Sequence, residues 1–118
     1  CDFLVVITSG VPSTRHLINE EVLNALGPRG FLINVARGTV VDEAALIRAL
    51  QDGRIAGAGL DVFENEPQVP DALTGMDNVV VLPHIASTTH ETRQAMADRV
   101  MENLDAFFAG RPLVSQAH

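Results

Sequence analysis

Cysteine is nearly absent from this sequence, and long apolar runs are missing altogether. The single cysteine, Cys1, excludes a disulfide framework and a cysteine-rich zinc site. No apolar run approaches the roughly 20 residues of a membrane-spanning helix. The sequence contains no basic segment followed by an apolar stretch, which is the pattern of a signal peptide. We therefore expect a soluble, cytoplasmic protein with no membrane partner.

Positive charge is also scarce. Lys and Arg together number 8, whereas Asp and Glu number 15, so the formal net charge is −7. This balance disfavours nucleic acids and anionic membranes as partners, because both carry negative charge themselves.

Length and composition are those of a folded domain. The 118 residues are 47% hydrophobic and 19% charged, which is typical of one globular domain with a modest core. The chain nevertheless begins with Cys1 instead of Met and enters a strand-like segment almost at once. We therefore expect the sequence to be a piece of a longer protein.

Four apolar segments alternate with helical patterns along the chain. The segments cover residues 3–7, 31–35, 55–62 and 78–82, and the first two are typical of strands buried on both faces. Helices are predicted after the capping residues Asn19, Asp42 and Thr88, the last running to about residue 109. Residues 63–77 are predicted to form a long loop. The order β-α-β-α-β-loop-β-α predicts an α/β fold with a parallel sheet.

Polar residues follow these strands at their carboxyl ends, where parallel sheets bind ligands. They are Thr8 and Ser9 after the first strand, Arg37 after the second, Asp61 and Glu66 after the third, and His84 after the fourth. The guanidinium of an arginine matches a carboxylate, and a histidine paired with a glutamate suits proton transfer near neutral pH. The combination predicts a site for a small anionic substrate. Asp61, at an apolar strand end, is expected to have a hydrogen-bonding role.

Taken singly, these residues also fit plainer roles. Thr8 and Ser9 fit an ordinary polar loop, Arg37 fits a surface ion pair, and His84 fits a structural histidine. Glu64 and Glu66 both fit solvated loop acids, and this interpretation is favoured for Glu64.

Two other chemistries are disfavoured. A Ser-His-Asp hydrolase is disfavoured because no G-x-S-x-G motif is present. A metal site is disfavoured because the histidines, at positions 16, 84, 90 and 118, show no ligand spacing apart from one distant pair.

Three motifs in order, with matching gaps, carry a resemblance to a known family. They are N-V-A-R-G at residues 34–38, L-D-V-F-E-N-E-P at residues 60–67 and L-P-H-I at residues 82–85. Over essentially its whole length the sequence resembles the D-isomer-specific 2-hydroxyacid dehydrogenases, and within them the glyoxylate/hydroxypyruvate and hydroxyphenylpyruvate reductases. The resemblance implies a Rossmann-type half domain at residues 1–87, the C-terminal part of the cofactor domain. Residues 88–118 would form a long helix and tail that return to a substrate domain outside this sequence.

The resemblance also implies roles for individual residues. Arg37 would bind the substrate carboxylate and polarise its 2-oxo group, Glu66 would hold the histidine, and His84 would be the acid/base. Asp61 would contact the nicotinamide carboxamide. The implied cofactor-binding residues lie mostly at the strand ends: Thr8, Ser9, Thr14, Val35, Ala36, Arg37, Asp61, His84 and Ala86.

The implied activity is NAD(P)H-dependent reduction of a small 2-oxo acid to the D-2-hydroxy acid, with NADPH favoured, no metal and a homodimeric complete protein. The G-x-G-x-x-G turn that cradles the pyrophosphate is absent from these residues. We therefore expect the chain alone to bind cofactor weakly and to catalyse nothing. Two alternatives are a dinucleotide-sensing corepressor of the same fold and an inactive truncated half domain.

Overall fold

The computed structural model describes residues 1–116, and the predicted tail residues Ala117 and His118 lie outside this range. The chain divides into two compact units, one at Cys1–Ile85 and one that begins at Ala86. The functional division that the sequence predicts after residue 87 stays a prediction.

Four parallel strands form the sheet of the first unit: β1 (Phe3–Val6), β2 (Phe31–Asn34), β3 (Gly57–Leu60) and β4 (Val79–Val81). They lie side by side in chain order, β1-β2-β3-β4. The register places their carboxyl ends together, since Val6 pairs with Asn34, Asn34 with Leu60, and Leu60 with Val81. The predicted α/β fold with a parallel sheet is confirmed.

The helices of the first unit are α1 (Glu20–Leu26), α2 (Glu43–Gln51) and α3 (Asp71–Thr74). The first two begin at the predicted caps. Asn19 Oδ1 accepts a hydrogen bond from the Val22 N–H at 3.1 Å, and Asp42 Oδ1 accepts one from the Ala45 N–H at 2.9 Å. Each cap satisfies a backbone donor that the first turn of a helix leaves without a partner.

The core lies on one face of the sheet. Leu23 of α1, Leu32 of β2 and Leu46 of α2 are fully buried there. The strands lie side by side in chain order, and crossovers between parallel strands are right-handed. The helices that connect them therefore lie on the same face of the sheet. The prediction that the first strand is buried on both faces is not met within this chain: Phe3 and Val5, which point to the other face, are 62% and 52% exposed.

Two predicted boundaries in the first unit are corrected. The third strand is shorter than residues 55–62, because pairing with β2 begins at Gly57, opposite Phe31, while Ile55 precedes the strand and is buried in the core. The predicted loop at residues 63–77 contains the one-turn helix α3, whose Leu73 is fully buried. Burial of one leucine favours this turn, which is too short to show a helical period in the sequence.

The second unit contains one long helix, α4 (His90–Phe108). Its N-cap is Thr89, whose hydroxyl accepts a hydrogen bond from the Thr92 N–H at 3.2 Å. The predicted capping box of Thr88 with Glu91 is therefore wrong, because the helix begins one residue later and its third residue is Thr92. Adjacent threonines have equal capping ability, so the first turn can begin at either of them. Within the described residues, no helix combines the length and hydropathy needed to cross a bilayer.

Candidate active site

His84 and Glu66 form a direct pair beyond the carboxyl ends of β3 and β4. His84 Nδ1 lies 2.8 Å from Glu66 Oε2, and both side chains remain partly exposed, at 47% and 37%. An ionised carboxylate only accepts hydrogen bonds, so the proton of the shared bond sits on Nδ1. The other ring nitrogen, Nε2, is then the one that can exchange a proton with a ligand. The structure thus brings together two of the three predicted catalytic residues.

The backbone of His84 is held in an unusual conformation. Its φ is +56°, a left-handed value that few residues other than glycine adopt. Two hydrogen bonds to Asp61 hold it there: the His84 N–H donates to the Asp61 carbonyl oxygen at 2.9 Å, and the Ile85 N–H donates to Asp61 Oδ1 at 2.7 Å. Strain of this kind persists only where neighbouring contacts enforce it, and it is frequent at active sites.

Asp61 is almost completely buried, with 2% of its surface exposed. The structure shows the hydrogen-bonding role that was expected for a carboxylate at an apolar strand end. Asp61 binds the N–H groups on both sides of the His84 carbonyl. Its predicted contact with a nicotinamide carboxamide stays a prediction.

Electrostatics keep Glu66 ionised. The hydrogen bond from His84 lowers the pKa of Glu66 below its ordinary value, while partial burial opposes this shift. The Phe63 N–H, which donates to Glu66 Oε1 at 3.0 Å, and the positive charge of Arg37 lower the pKa further. A carboxylate held in this way can orient an imidazole and stabilise its charged form.

Arg37 lies on a turn that a buried asparagine organises. Asn34, only 1% exposed, ends β2. Its Oδ1 accepts a hydrogen bond from the Ala36 N–H at 3.1 Å, and its Nδ2 donates to the Arg37 carbonyl oxygen at 3.2 Å. Asn34 was not among the predicted site residues. A signal for it was present in the sequence, because a polar residue inside an apolar strand needs a hydrogen-bonding partner, as Asp61 does.

A cleft of about 390 Å³ opens beyond the carboxyl ends of β1 and β2. Five of the predicted cofactor-binding residues line it: Thr8, Ser9, Val35, Ala36 and Arg37. Gly10 lies in the same wall, and a Cβ atom there would come within 2.8 Å of Arg37 Cγ. The Arg37 side chain therefore packs directly over the Gly10 backbone.

Thr14 and Ala86, also predicted to bind cofactor, are placed differently. Thr14 does not line the cleft; its hydroxyl donates to the Ser9 carbonyl oxygen at 2.7 Å and so holds the loop that does. Ala86 is exposed and is the first residue of the second unit.

An apolar hollow of about 290 Å³ adjoins the His84–Glu66 pair. Phe63, Pro67 and Leu82 contribute to its walls. Among residues 1–116, no three His, Cys, Asp or Glu side chains gather in an arrangement that could hold a metal ion.

Comparison with known proteins decides the family. Residues 1–86 match the family described as D-isomer specific 2-hydroxyacid dehydrogenase, NAD binding domain. The chain belongs to this family. The resemblance of the three motifs is thereby confirmed, and the four-stranded sheet is part of a Rossmann-like NAD-binding domain.

Relatives within the 2-hydroxyacid dehydrogenase family are similar over nearly the whole chain. Hydroxyphenylpyruvate reductase of Plectranthus scutellarioides is 57% identical over 97% of the chain and 36% of its own length. Glyoxylate/hydroxypyruvate reductase A of Arabidopsis thaliana is 54% identical, with the same coverage of each. The chain thus spans about a third of the length of the curated relatives it matches.

A solved structure of the same family agrees with the fold. The NADPH-dependent glyoxylate/hydroxypyruvate reductase of Sinorhizobium meliloti, in complex with NADP and malonate, superposes with a TM-score of 0.93 at 56% identity. The match covers 98% of the chain and 36% of that protein.

Proposed function

We propose that the protein containing this chain reduces a small 2-oxo acid, such as glyoxylate or hydroxypyruvate, to the D-2-hydroxy acid with NAD(P)H. The observation that carries the proposal is the 2.8 Å contact between His84 and Glu66, placed where a parallel sheet binds its ligand. The names of the relatives, which are reductases of glyoxylate, hydroxypyruvate and hydroxyphenylpyruvate, support the substrate class.

NADPH is the favoured cofactor, because two similar structures contain NADP or NADPH. The residues of the cleft suit a nicotinamide and its ribose: Thr8 and Ser9 offer hydroxyls, while Val35 and Ala36 offer an apolar wall and backbone groups. When bound, such a cofactor supplies the hydride. The buried carboxylate of Asp61 stands at the adjoining strand end, where we propose that it faces the carboxamide.

Arg37 is proposed to bind the substrate carboxylate. Its planar guanidinium offers two parallel donors for the two oxygens of a carboxylate. One of its nitrogens, Nη1, donates to the Ala36 carbonyl oxygen at 2.7 Å, which orients the group and leaves other donors for a ligand. Its positive charge would also stabilise the negative charge that develops on the 2-oxo group during reduction.

His84 is proposed to donate the proton. Reduction of a carbonyl leaves charge on oxygen, and an imidazolium at Nε2 can neutralise it. Glu66 holds the opposite nitrogen and keeps the ring oriented. Above the pH at which the ring loses its proton, reduction should therefore slow.

Replacement of His84 by alanine in the full-length protein tests this assignment. We expect His84→Ala to lower kcat/KM for glyoxylate by about 10²- to 10⁴-fold, the usual contribution of general acid catalysis. NADPH binding, followed by the fluorescence of the cofactor, should stay close to that of the wild type. His90→Ala, at the first residue of α4, is the matched control. Unchanged turnover by His84→Ala would contradict the assignment.

The alternative of a dinucleotide-sensing corepressor is not favoured, because the matched relatives are named reductases and dehydrogenases. A homodimeric complete protein and a cytoplasmic location stay predictions. Size-exclusion chromatography with light scattering on the full-length protein tests the first.

A further inference from the structure

Glu64, two residues before Glu66, binds the side chains of two residues that are distant in sequence. Arg15 Nη2 donates to Glu64 Oε1 at 2.6 Å, and His16 Nε2 lies 3.0 Å from the same oxygen. We call Arg15, His16 and Glu64 the Glu64 cluster. Only 19% of the Glu64 side chain is exposed. The interpretation of Glu64 as a solvated loop acid is therefore wrong, because the fold brings the side chains of Arg15 and His16 to it from a segment 48 and 49 residues away.

The backbone around Glu64 is fixed as well. The Glu64 N–H donates to Glu43 Oε2 at 3.2 Å. The preceding carbonyl group, that of Phe63, packs so closely on Gly38 that a Cβ atom there would lie 2.0 Å from it. The N–H of the same Phe63 donates to Glu66 Oε1. The contacts that hold residues 63 and 64 therefore also determine where the Glu66 carboxylate lies.

The Glu64 cluster also reaches the loop that lines the cofactor cleft. Arg15 follows Thr14, whose hydroxyl binds the Ser9 carbonyl oxygen. His16 donates its N–H to the Thr39 carbonyl oxygen at 2.9 Å and has a φ of +51°, so its backbone is restrained like that of His84. The cluster joins the loop after β1 to the turn that carries Glu66.

We propose that Glu64 is a positioning residue: through Arg15 and His16 it fixes the turn that presents Glu66 to His84. This inference rests on the proposed function. Hydrogen bonding from His16 is the main cause of the lowered pKa of Glu64, with partial burial opposing it and Arg15 adding to it. The carboxylate is therefore charged at neutral pH, where it attracts the Arg15 guanidinium and accepts a hydrogen bond from His16.

The test compares Glu64→Gln with Glu20→Gln in the full-length protein. Glu20 Oε1 forms an ion pair with Arg54 Nη1 at 2.7 Å, which is similar in length but lies outside the site, so it is a matched control. We expect Glu64→Gln to lower kcat for glyoxylate about tenfold, as the loss of one charged hydrogen bond predicts. The alkaline limb of its pH profile should move to lower pH, as with Glu66→Gln, while KM for NADPH stays unchanged.

A double-mutant cycle separates positioning from an independent effect. If Glu64 acts through Glu66, the double variant Glu64→Gln/Glu66→Gln has the same kcat as Glu66→Gln alone. The inference would be overturned if the losses in kcat of the two single variants multiplied in the double variant. It would also be overturned if Glu64→Gln and Glu20→Gln had the same kcat and the same pH profile. Arg15→Gln removes the exposed partner instead and should change kcat in the same direction.

A readout without turnover distinguishes this inference from the proposed function. We expect Glu64→Gln, and not Glu20→Gln, to change the ¹⁵N chemical shift of His84 Nδ1 in NMR spectra. If that shift changes while the wild type reduces no 2-oxo acid, the proposed function fails and the positioning role stands. If the wild type is active and the shift does not change, the positioning role fails alone.

Discussion

Asp61 binds the backbone on both sides of the His84 carbonyl group. It accepts the His84 N–H through its carbonyl oxygen at 2.9 Å and the Ile85 N–H through Oδ1 at 2.7 Å. These bonds fix a histidine whose φ is +56°, and they connect the end of β3 to the residues that follow β4. The imidazole is therefore aimed at Glu66 by the backbone as well as by the side-chain contact.

Gly10→Ala should displace Arg37. The new methyl group would lie 2.8 Å from Arg37 Cγ and 2.9 Å from its Cβ, so the base of the arginine side chain must move. If Arg37 binds the substrate carboxylate, KM for glyoxylate should rise about tenfold or more, the effect of losing a charged hydrogen bond.

Steady-state kinetics of the full-length protein measure this effect, with Gly75→Ala as the control. At Gly75 the nearest atom to a new Cβ is the Asp71 carbonyl oxygen at 3.4 Å, an ordinary contact. An unchanged KM in Gly10→Ala would count against the role of Arg37.

Gly38→Ala should destabilise the fold. A Cβ atom at this position would lie 2.0 Å from the Phe63 carbonyl group and 2.4 Å from the Glu64 nitrogen, and backbone cannot rotate away as a side chain can. We expect the free energy of unfolding to fall by about 1–3 kcal/mol, the usual effect of overpacking. Urea denaturation followed by circular dichroism measures this free energy. If Gly38→Ala were as stable as Gly75→Ala, the close approach of Gly38 to the Phe63 carbonyl group would be refuted.

Acid should weaken the fold through Glu64 and Glu66. The pKa of each carboxyl is lowered in the folded state, in both cases chiefly by a hydrogen bond from a histidine. A carboxyl whose pKa is lowered by folding stabilises the folded state at pH values above its ordinary pKa of 4.5. This stabilisation is lost as the pH falls through the folded-state pKa. In Glu66→Gln, the free energy of unfolding should decrease less steeply as the pH falls below 4.5. Urea titrations at several pH values measure the slope, and identical slopes would exclude this linkage.

The 118-residue chain by itself should bind NADPH weakly and reduce neither glyoxylate nor hydroxypyruvate. It carries no G-x-G-x-x-G turn for the pyrophosphate, and it spans about a third of its relatives. A fluorescence titration with NADPH and an absorbance assay test both parts. Turnover by this chain would show that the expectation drawn from the missing motif is wrong.

The alternation of apolar segments with capped helical patterns was sufficient to predict the α/β fold and its strand order along the chain. The reason is that hydrophobic period and capping chemistry are local properties, and a parallel sheet follows when they alternate. The same local reasoning located Arg37, Glu66 and His84, because each directly follows a strand or lies in the loop after it. It overestimated the burial of Phe3 and Val5, since the side of the sheet that a helix covers depends on the chain crossovers.

Tertiary structure alone decided how these residues are joined. The 2.8 Å contact of His84 with Glu66, the binding of Glu64 to Arg15 and His16, and the packing of Phe63 on Gly38 all join residues far apart in sequence or across a turn. No local pattern predicts such distances, because they depend on how whole loops meet at one edge of the sheet. The scarcity of cysteine and of positive charge excluded classes of protein, whereas the position of a few charges in the fold supports a specific chemistry.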